Sequence, residues 1–281
     1  MSTVYTKSSK VKTIIIWSII VIYLFWVLVP LIWATLNSFK TLKDIYAVPP
    51  KLIFEPTLEN WDYVLRYAEF PKYYLNTMII GLTSTVTAMI LGYFMAYALA
   101  RFEIKRKDDI AFFVLSQRIL PPASIVIPLF ILFDKLALIN TYPAIILPYI
   151  VLNLPFSVWI LRSFIEEVPK EIDEAALVDG ASILRVMFQI VLPQILYGFL
   201  ATWIFIFVLT INEYFLAAIL TGAATRPVSV AVTLFLPVGV RGAMPGPACA
   251  AGILMLIPPL VIFGLFHKFL VRGLTFGVIK G

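Results

Sequence analysis

Residues 73–100, YYLNTMIIGLTSTVTAMILGYFMAYALA, contain no charged side chain, although Lys72 and Arg101 stand directly on either side. A helix needs about 20 apolar residues to cross a bilayer, so this run is long enough to span a membrane. Similar uncharged runs occur at residues 13–39, 136–161, 186–212 and 242–266. The composition agrees, because 61% of the residues are hydrophobic and only 14% are charged, whereas a soluble domain carries roughly 25% charged residues. The sequence therefore predicts an all-α polytopic membrane protein.

A sixth span is predicted over residues 110–133, where Arg118 is the only charged residue. The six predicted spans, all within a single domain of residues 1–281, are approximately 13–37, 75–100, 110–133, 141–162, 188–218 and 245–267. Residues 227–240 are too short to cross and contain two prolines, which favours a re-entrant or interfacial piece. The first apolar run exceeds the roughly 7–15 residues of a signal-peptide core, so we expect a retained first helix.

The distribution of lysine and arginine predicts the orientation. Short cytoplasmic loops carry an excess of these residues, and the loop RFEIKRKDD (101–109) is far more basic than DKLALINTY (134–142). If the 101–109 loop is cytoplasmic, thirteen of the 22 basic residues lie in the cytoplasmic segments, which are 1–12, 101–109, 162–185 and 267–281. Both termini are therefore predicted to be cytoplasmic, and the 40–72 loop is predicted to lie outside.

The largest cytoplasmic loop in this topology, residues 168–187, has the pattern of two helices. Pro169 is suited to the first position of a helix. Acidic residues in the first turns (Glu171, Asp173, Glu174) are favoured there by the positive end of the helix dipole. Gly180 is the residue expected at a left-handed helix stop, and Ser182 is expected to cap a second helix. By composition alone, a solvated loop helix without a partner is the favoured interpretation.

The spacing of this loop carries a more specific signal. The pattern E-A-A, three residues, G, nine residues, I-x-L-P is met by Glu174, Ala175, Ala176, Gly180, Ile190, Leu192 and Pro193. This resembles the EAA loop of ABC importer permeases, a segment that docks into the ATPase subunit. The resemblance implies that these residues, with Asp179, form an ATPase-docking element, and that residues 168–187 are a coupling (EAA) loop between spans four and five.

Other segments are similar to the carbohydrate-uptake permeases, in the branch of the smaller permease subunit of the maltose transporter. They are NTMIIGLTSTVTAMILGYFMAYALARF (76–102), INEYF (211–215) and RGLTFGVIKG (272–281). One departure is Ile211, where that branch often has tryptophan. The resemblance implies a prokaryotic cell membrane and a sugar, oligosaccharide or polyol as substrate.

The same resemblance implies the partners. They are a second permease subunit in a heterodimer, two ATPase subunits, and an extracytoplasmic solute-binding protein that meets the 40–72 loop. ATP and magnesium would bind the ATPase subunits and not this chain, which lacks the phosphate-binding G-x-x-x-x-G-K-[ST] motif. The net charge of +6 is explained by the membrane topology and requires no nucleic acid.

Four polar residues within predicted spans are candidates for the substrate path: Arg118, Asn153, Asn212 and Glu213. A charge at mid-membrane costs about 2.5–3.5 kcal/mol on insertion scales, so such residues tend to be functional. An ion pair between Arg118 and Glu213 is a structural alternative. Prolines in spans three and four, including Pro121 and Pro122, favour broken helices, although membrane helices also tolerate proline.

Two other protein classes are weaker explanations. A secondary transporter usually has inverted repeats and an intramembrane coupling acid, and the sequence shows no repeat and offers Glu213 alone. An enzyme is disfavoured because no catalytic motif or metal-ligand cluster occurs, and His267 and Cys249 are the sole residues of their types.

Overall fold

The computed structural model describes residues 8–237 and 242–276, and within them the side chains of 12–237 and 242–268. These ranges are helical and contain no strand. The four long helices are α1 Ser8–Ser38, α4 Phe70–Arg101, α7 Tyr142–Glu167 and α14 Pro245–Phe276. The shorter helices are α2 Leu42–Ile45, α3 Glu59–Asp62, α5 Lys107–Ser116, α6 Pro122–Lys135, α8 Lys170–Val178, α9 Ile183–Arg185, α10 Leu192–Gln194, α11 Leu196–Ile211, α12 Phe215–Leu220 and α13 Val228–Ala231. Two π-helical turns, Tyr63–Tyr67 and Val186–Val191, and a 3-10 turn, Val232–Phe235, complete the list.

Four helices of the described chain are long and apolar enough to cross a membrane. They are Lys12–Ser38, Phe70–Arg101, Tyr142–Glu167 and Pro245–Lys268. A fifth candidate is a bent pair, Ile183–Gln194 and Leu196–Ile211, whose axes differ by 84°. An all-helical chain with several apolar helices is therefore confirmed, and the count of six spans stays a prediction.

The predicted third span is not one continuous helix. It corresponds to α5 and α6, which are separated by residues 117–121. The break lies at Pro121 and Pro122, where Pro121 has an extended backbone and Pro122 opens α6. A proline disfavours helical backbone in the residue before it, which explains the interruption. Pro148 and Pro155, by contrast, lie inside α7 without ending it.

The predicted fifth span, 188–218, also differs from the structure. The π-helical turn Val186–Val191 and α10 end at Ile195, where the chain bends before α11. Helix α11 then ends at Ile211, and α12 is a separate helix. Residues 188–218 were predicted as one span because most of them belong to the uncharged run 186–212, but hydropathy does not report a bend.

The chain divides into two compact units. The first comprises residues 1–69 and 232–255. In it, the Asn60 amide donates to the backbone oxygens of Ser38 (3.1 Å) and Lys40 (2.8 Å), which fixes α3 to the end of α1. The Lys40 ammonium group is buried and lies 4.6 Å from the centre of the Trp33 ring. In contrast, the most apolar part of α1 has no buried residue, as expected for a helix whose surroundings are lipid or another membrane protein.

The second unit comprises residues 70–231 and 256–281. Its most extensive helix contact is between α4 and α7. Gly92 of α4 permits this close approach, because a Cβ added there would lie 2.6 Å from the Cβ of Ser157 on α7. The Ser157 hydroxyl donates to the backbone oxygen of Ala88 (3.0 Å) across the same contact. Small residues in membrane helices allow this packing, so α4 and α7 form the scaffold on which the candidate site is built.

Candidate functional site

The coupling loop begins with α8, which ends in a left-handed turn at Gly180. Pro169 precedes the helix as its N-cap, so the helix starts one residue later than predicted. At the other end Gly180 has φ +85°, and its amide donates to the Leu177 oxygen while that of Ala181 donates to Ala176, each at 3.0 Å. This pair of bonds is the Schellman motif. The predicted glycine stop is therefore present in the structure, and it turns the chain sharply after α8.

The second half of the loop is capped as predicted but is not a regular α-helix. The Ser182 hydroxyl accepts a bond from the Arg185 amide (3.3 Å), which starts α9. The chain then forms the π-helical turn Val186–Val191, whose residues Val186, Met187 and Val191 are buried. π-helical turns occur frequently at functional sites. The α-helical spacing predicted for this segment is therefore interrupted.

The predicted docking residues separate into an exposed set and a packed set. Glu174, Ala175, Asp179, Gly180 and Pro193 are exposed, whereas Ala176, Ile190 and Leu192 pack partly buried against the core beneath. Two large apolar side chains of the same loop are also exposed, Val178 at 87% and Leu184 at 58%, and we call these two residues the exposed tip. The exposed surface of this loop therefore combines apolar side chains with the carboxylates of Glu174 and Asp179.

Asp173 lies on the opposite, buried side of α8. Its carboxylate accepts from Arg101 Nε (2.8 Å) and from the Tyr97 hydroxyl (3.0 Å) of α4. Arg101 Nη2 also donates to the Val168 backbone oxygen (2.9 Å). The Arg101 and Asp173 side chains are each only 6% exposed. Sequence reasoning placed Asp173 at the helix dipole and missed this ion pair, since its partner is 72 residues away.

Glu213 is held by neutral hydrogen-bond donors and not by Arg118. Its carboxylate accepts from the Tyr149 hydroxyl (2.7 Å) and from the backbone amides of Leu216 (3.0 Å) and Ala217 (3.3 Å). These two amides lie in the first turn of α12, so the carboxylate occupies a helix N-terminus, where negative charge is favoured. Among the ion pairs of the described residues, Glu213 and Arg118 are not joined, and the alternative of an Arg118–Glu213 pair is therefore wrong.

The other polar candidates occupy different environments. Arg118 lies in the break between α5 and α6, where it donates to the Leu152 backbone oxygen (3.1 Å) and its guanidinium lies 4.9 Å from the Phe156 ring. Asn153 is buried and donates to the Thr210 hydroxyl (2.8 Å). Asn212 is exposed and donates to a backbone oxygen of its own helix. Each of the four candidates therefore has its own hydrogen-bond partners, and no hydrogen bond among the described residues joins two of them.

Comparison with known families identifies the chain. Residues 77–276 match the family described as binding-protein-dependent transport system inner membrane component. The chain belongs to this family. It is therefore a multi-pass membrane transport component and not an enzyme, and the resemblance drawn from the EAA pattern is confirmed.

Individual relatives of this transport component agree with the family. The chain is 36% identical to the trehalose/maltose transport system permease protein of Thermococcus litoralis, over 90% of this chain and 92% of that protein. It is 31% identical to the diacetylchitobiose uptake system permease protein of Streptomyces coelicolor, over 95% and 87% of the two chains.

A solved structure shares the fold of this transport component. It is a bacterial ABC transporter involved in the import of the acidic polysaccharide alginate. The match has a TM-score of 0.78 at 20% identity and covers 95% of this chain and 99% of that chain.

Proposed function

We propose that this chain is a transmembrane permease subunit of an ATP-driven ABC importer for a sugar, oligosaccharide or polyol. The family and the carbohydrate permeases among its relatives support this assignment. The chain pairs with a second permease as a heterodimer, receives substrate from an extracytoplasmic binding protein, and docks two ATPase subunits together with that permease. ATP and magnesium act in the ATPase subunits, and this chain carries no cofactor.

The observation that carries the proposal is the exposed tip of the coupling loop. Val178 and Leu184 are large apolar side chains that protrude next to Gly180. Removing large apolar side chains from water contributes favourable free energy, so a partner protein covers both side chains in the assembled transporter. Glu174 and Asp179 border the tip and provide acceptors for hydrogen bonds from that partner.

The topology that we propose has six spans and both termini in the cytoplasm. Helices α1, α4, α7 and α14 each form one span, α5 and α6 together form a broken third span, and the bent segment ending in α11 forms the fifth. Short basic loops indicate the cytoplasmic side, and the coupling loop then faces the cytoplasm, where a soluble ATPase can reach it. Segments 1–7 and 277–281, which carry part of this argument, lie outside the described residues.

We further propose that the substrate path runs past the break at residues 117–121. Irregular backbone at membrane depth is tolerated where it is buried in protein or lines a water-filled cavity, and Gln117, Ile119 and Leu120 are exposed in this chain. Arg118 and Asn212 are then the residues that face the path. Asn153 and Glu213 act beside it by fixing α7 to α11 and α12 through their hydrogen bonds.

The proposal is tested by transport in reconstituted vesicles with the complete importer and with the ATPase subunits omitted. We expect uptake of the binding protein's sugar to require both ATPase and ATP. Replacing Glu174 with alanine should reduce retention of the ATPase subunits on the purified permease pair, while the permeases remain in the membrane. Uptake driven by an ion gradient without the ATPase would show instead that the chain is a secondary transporter.

A further inference from the structure

One face of α4 is bonded to the start of the coupling loop, to α8 and to the π-helical turn. Tyr93, Tyr97 and Arg101 follow each other at intervals of four, so they lie along one side of the helix. Arg101 reaches the start of the loop at the Val168 oxygen, and Arg101 and Tyr97 both reach Asp173 in α8. The Tyr93 hydroxyl donates to the Met187 backbone oxygen (2.6 Å) in the π-helical turn.

These contacts are buried and directional. Tyr93 is 1% exposed and Tyr97 is 4% exposed, and the Arg101–Asp173 pair is almost as well shielded. Removing one partner of a buried ion pair leaves an uncompensated charge, which is strongly unfavourable. Apolar packing alone would let α8 slide over α4, whereas the ion pair and the tyrosine bonds fix its position and angle.

Along the covalent chain, the coupling loop leads to a different helix, α11. Its second half continues through α9 and α10 into α11, but an 84° bend separates α11 from the segment before it. The π-helical turn and this bend interrupt the regular helix along the covalent route. The non-covalent route through Asp173 has no such interruption, because α4 is one continuous helix that packs on α7 through Gly92 and Ser157.

We infer that the Arg101–Asp173 pair, together with Tyr97 and Tyr93, is the link that makes α8 and α4 move as one body when ATP binding displaces the docked loop. The inference rests on the proposed importer function. Arg101, Asp173 and Tyr97 are positioning residues, since they touch neither ATPase nor substrate. The motion of α8 is thus transmitted directly to span two (α4), and the bend before α11 takes up the change in the angle of span five.

The test uses the complete importer reconstituted with its ATPase and binding protein. The principal variant is Asp173→Asn, which keeps the shape of the side chain and removes its charge; Tyr97→Phe removes one hydroxyl and keeps the ion pair. Asp108→Asn is the matched control, because the Asp108 side chain is 78% exposed and its ion pair with Arg162 also joins two helices. We measure retention of the ATPase, ATP hydrolysis stimulated by loaded binding protein, and sugar imported per ATP hydrolysed.

We expect Asp173→Asn to retain the ATPase within about twofold and to import at least tenfold less sugar per ATP hydrolysed. Tyr97→Phe should show the same change at a smaller size, and Asp108→Asn should match the unmodified importer. If Asp173→Asn fails to accumulate, Tyr97→Phe decides. A normal ratio of sugar to ATP, with or without reduced assembly, would overturn the inference, because it would leave Asp173 with a role in folding alone.

A distance measurement checks the single-body motion directly. Spin labels at Lys170 on α8 and at Glu103 just beyond α4, both exposed, are introduced in a Cys249→Ser background. In the importer with native Asp173, we expect the label distance to stay within about 2 Å between the nucleotide-free and ATP-bound states, and Asp173→Asn should broaden it. A shift of about 5 Å or more with Asp173 intact would refute the link. An importer that neither retains the ATPase nor requires ATP would instead refute the proposed function.

Discussion

Gly180 provides a test that separates backbone strain from contact with a partner. Its φ of +85° is in the left-handed region, which costs an ordinary L-residue roughly 1–2 kcal/mol. A Cβ built at this position meets no atom of the described chain within 4 Å, so a substitution adds strain without a steric clash inside the subunit. Strain of this size corresponds to a roughly 5- to 30-fold change in an equilibrium. Gly180→Ala should therefore weaken binding of the ATPase by about this factor.

Gly180→Asn distinguishes the two causes. Asparagine adopts the left-handed conformation more readily than alanine, yet its side chain is larger. If the turn geometry is what the glycine supplies, affinity for the ATPase should fall in the order glycine, asparagine, alanine. The assay titrates the purified ATPase against the permease pair held in detergent or nanodiscs, with Gly252→Ala as control, because a Cβ at Gly252 also meets nothing within 4 Å. Alanine equal to glycine would refute the strain argument. Asparagine weaker than alanine would show that close approach of the ATPase is decisive.

Two further predictions concern stability. Gly92→Ala should destabilise the chain by about 2–4 kcal/mol, because overpacking costs roughly 1–3 kcal/mol and loss of the Ser157 hydroxyl bond adds about 1 kcal/mol. In unfolding measurements in mixed micelles, a second substitution Ser157→Gly should restore the lost stability, whereas Ser157→Ala should not, because its Cβ still clashes. Independent, additive effects of the two substitutions would contradict the packing. The hydrogen bond from Arg162 holds the pKa of Asp108 below its usual value of 3.8, so its contribution to stability is present above about pH 4 and is lost as pH falls through the lowered pKa. Asp108→Asn should remove this pH-dependent contribution, so the unfolding midpoints of the unmodified protein and the variant should differ more at pH 6 than at pH 3 (about three units apart). The same difference in midpoint at both pH values would contradict the ion pair.

The uncharged runs predicted the all-helical membrane character because burial in lipid depends on side-chain hydropathy summed over a short segment. The predicted spans 13–37 and 75–100 both lie within long helices. The left-handed stop at Gly180 and the cap at Ser182 are equally local, since each depends on the backbone freedom or hydrogen bonding of a few neighbouring residues. The EAA spacing was sufficient for the family.

The breaks within the predicted spans required the structure. Hydropathy is the same for a straight and a bent apolar segment, so residues 188–218 gave no sign of the turn at Ile195. The interruption between α5 and α6 was partly indicated by Pro121 and Pro122, but prolines in α7 did not break their helix. Whether a proline breaks a helix depends on which neighbouring groups satisfy the freed backbone oxygens, and those neighbours are distant in sequence.

The sequence by itself determined that this protein is a membrane-embedded transport component, and it predicts a coupling loop at residues 168–187. Only the tertiary structure decided what the polar residues around that loop do. Asp173 had the composition of an ordinary first-turn acid, and it became a buried ion-pair partner because packing brings α8 onto the end of α4. Glu213 was an alternative partner for Arg118, and its carboxylate instead accepts from the first turn of α12 because a new helix begins at Phe215. Pairing between distant charges depends on which helices meet, and no local pattern in the sequence records that.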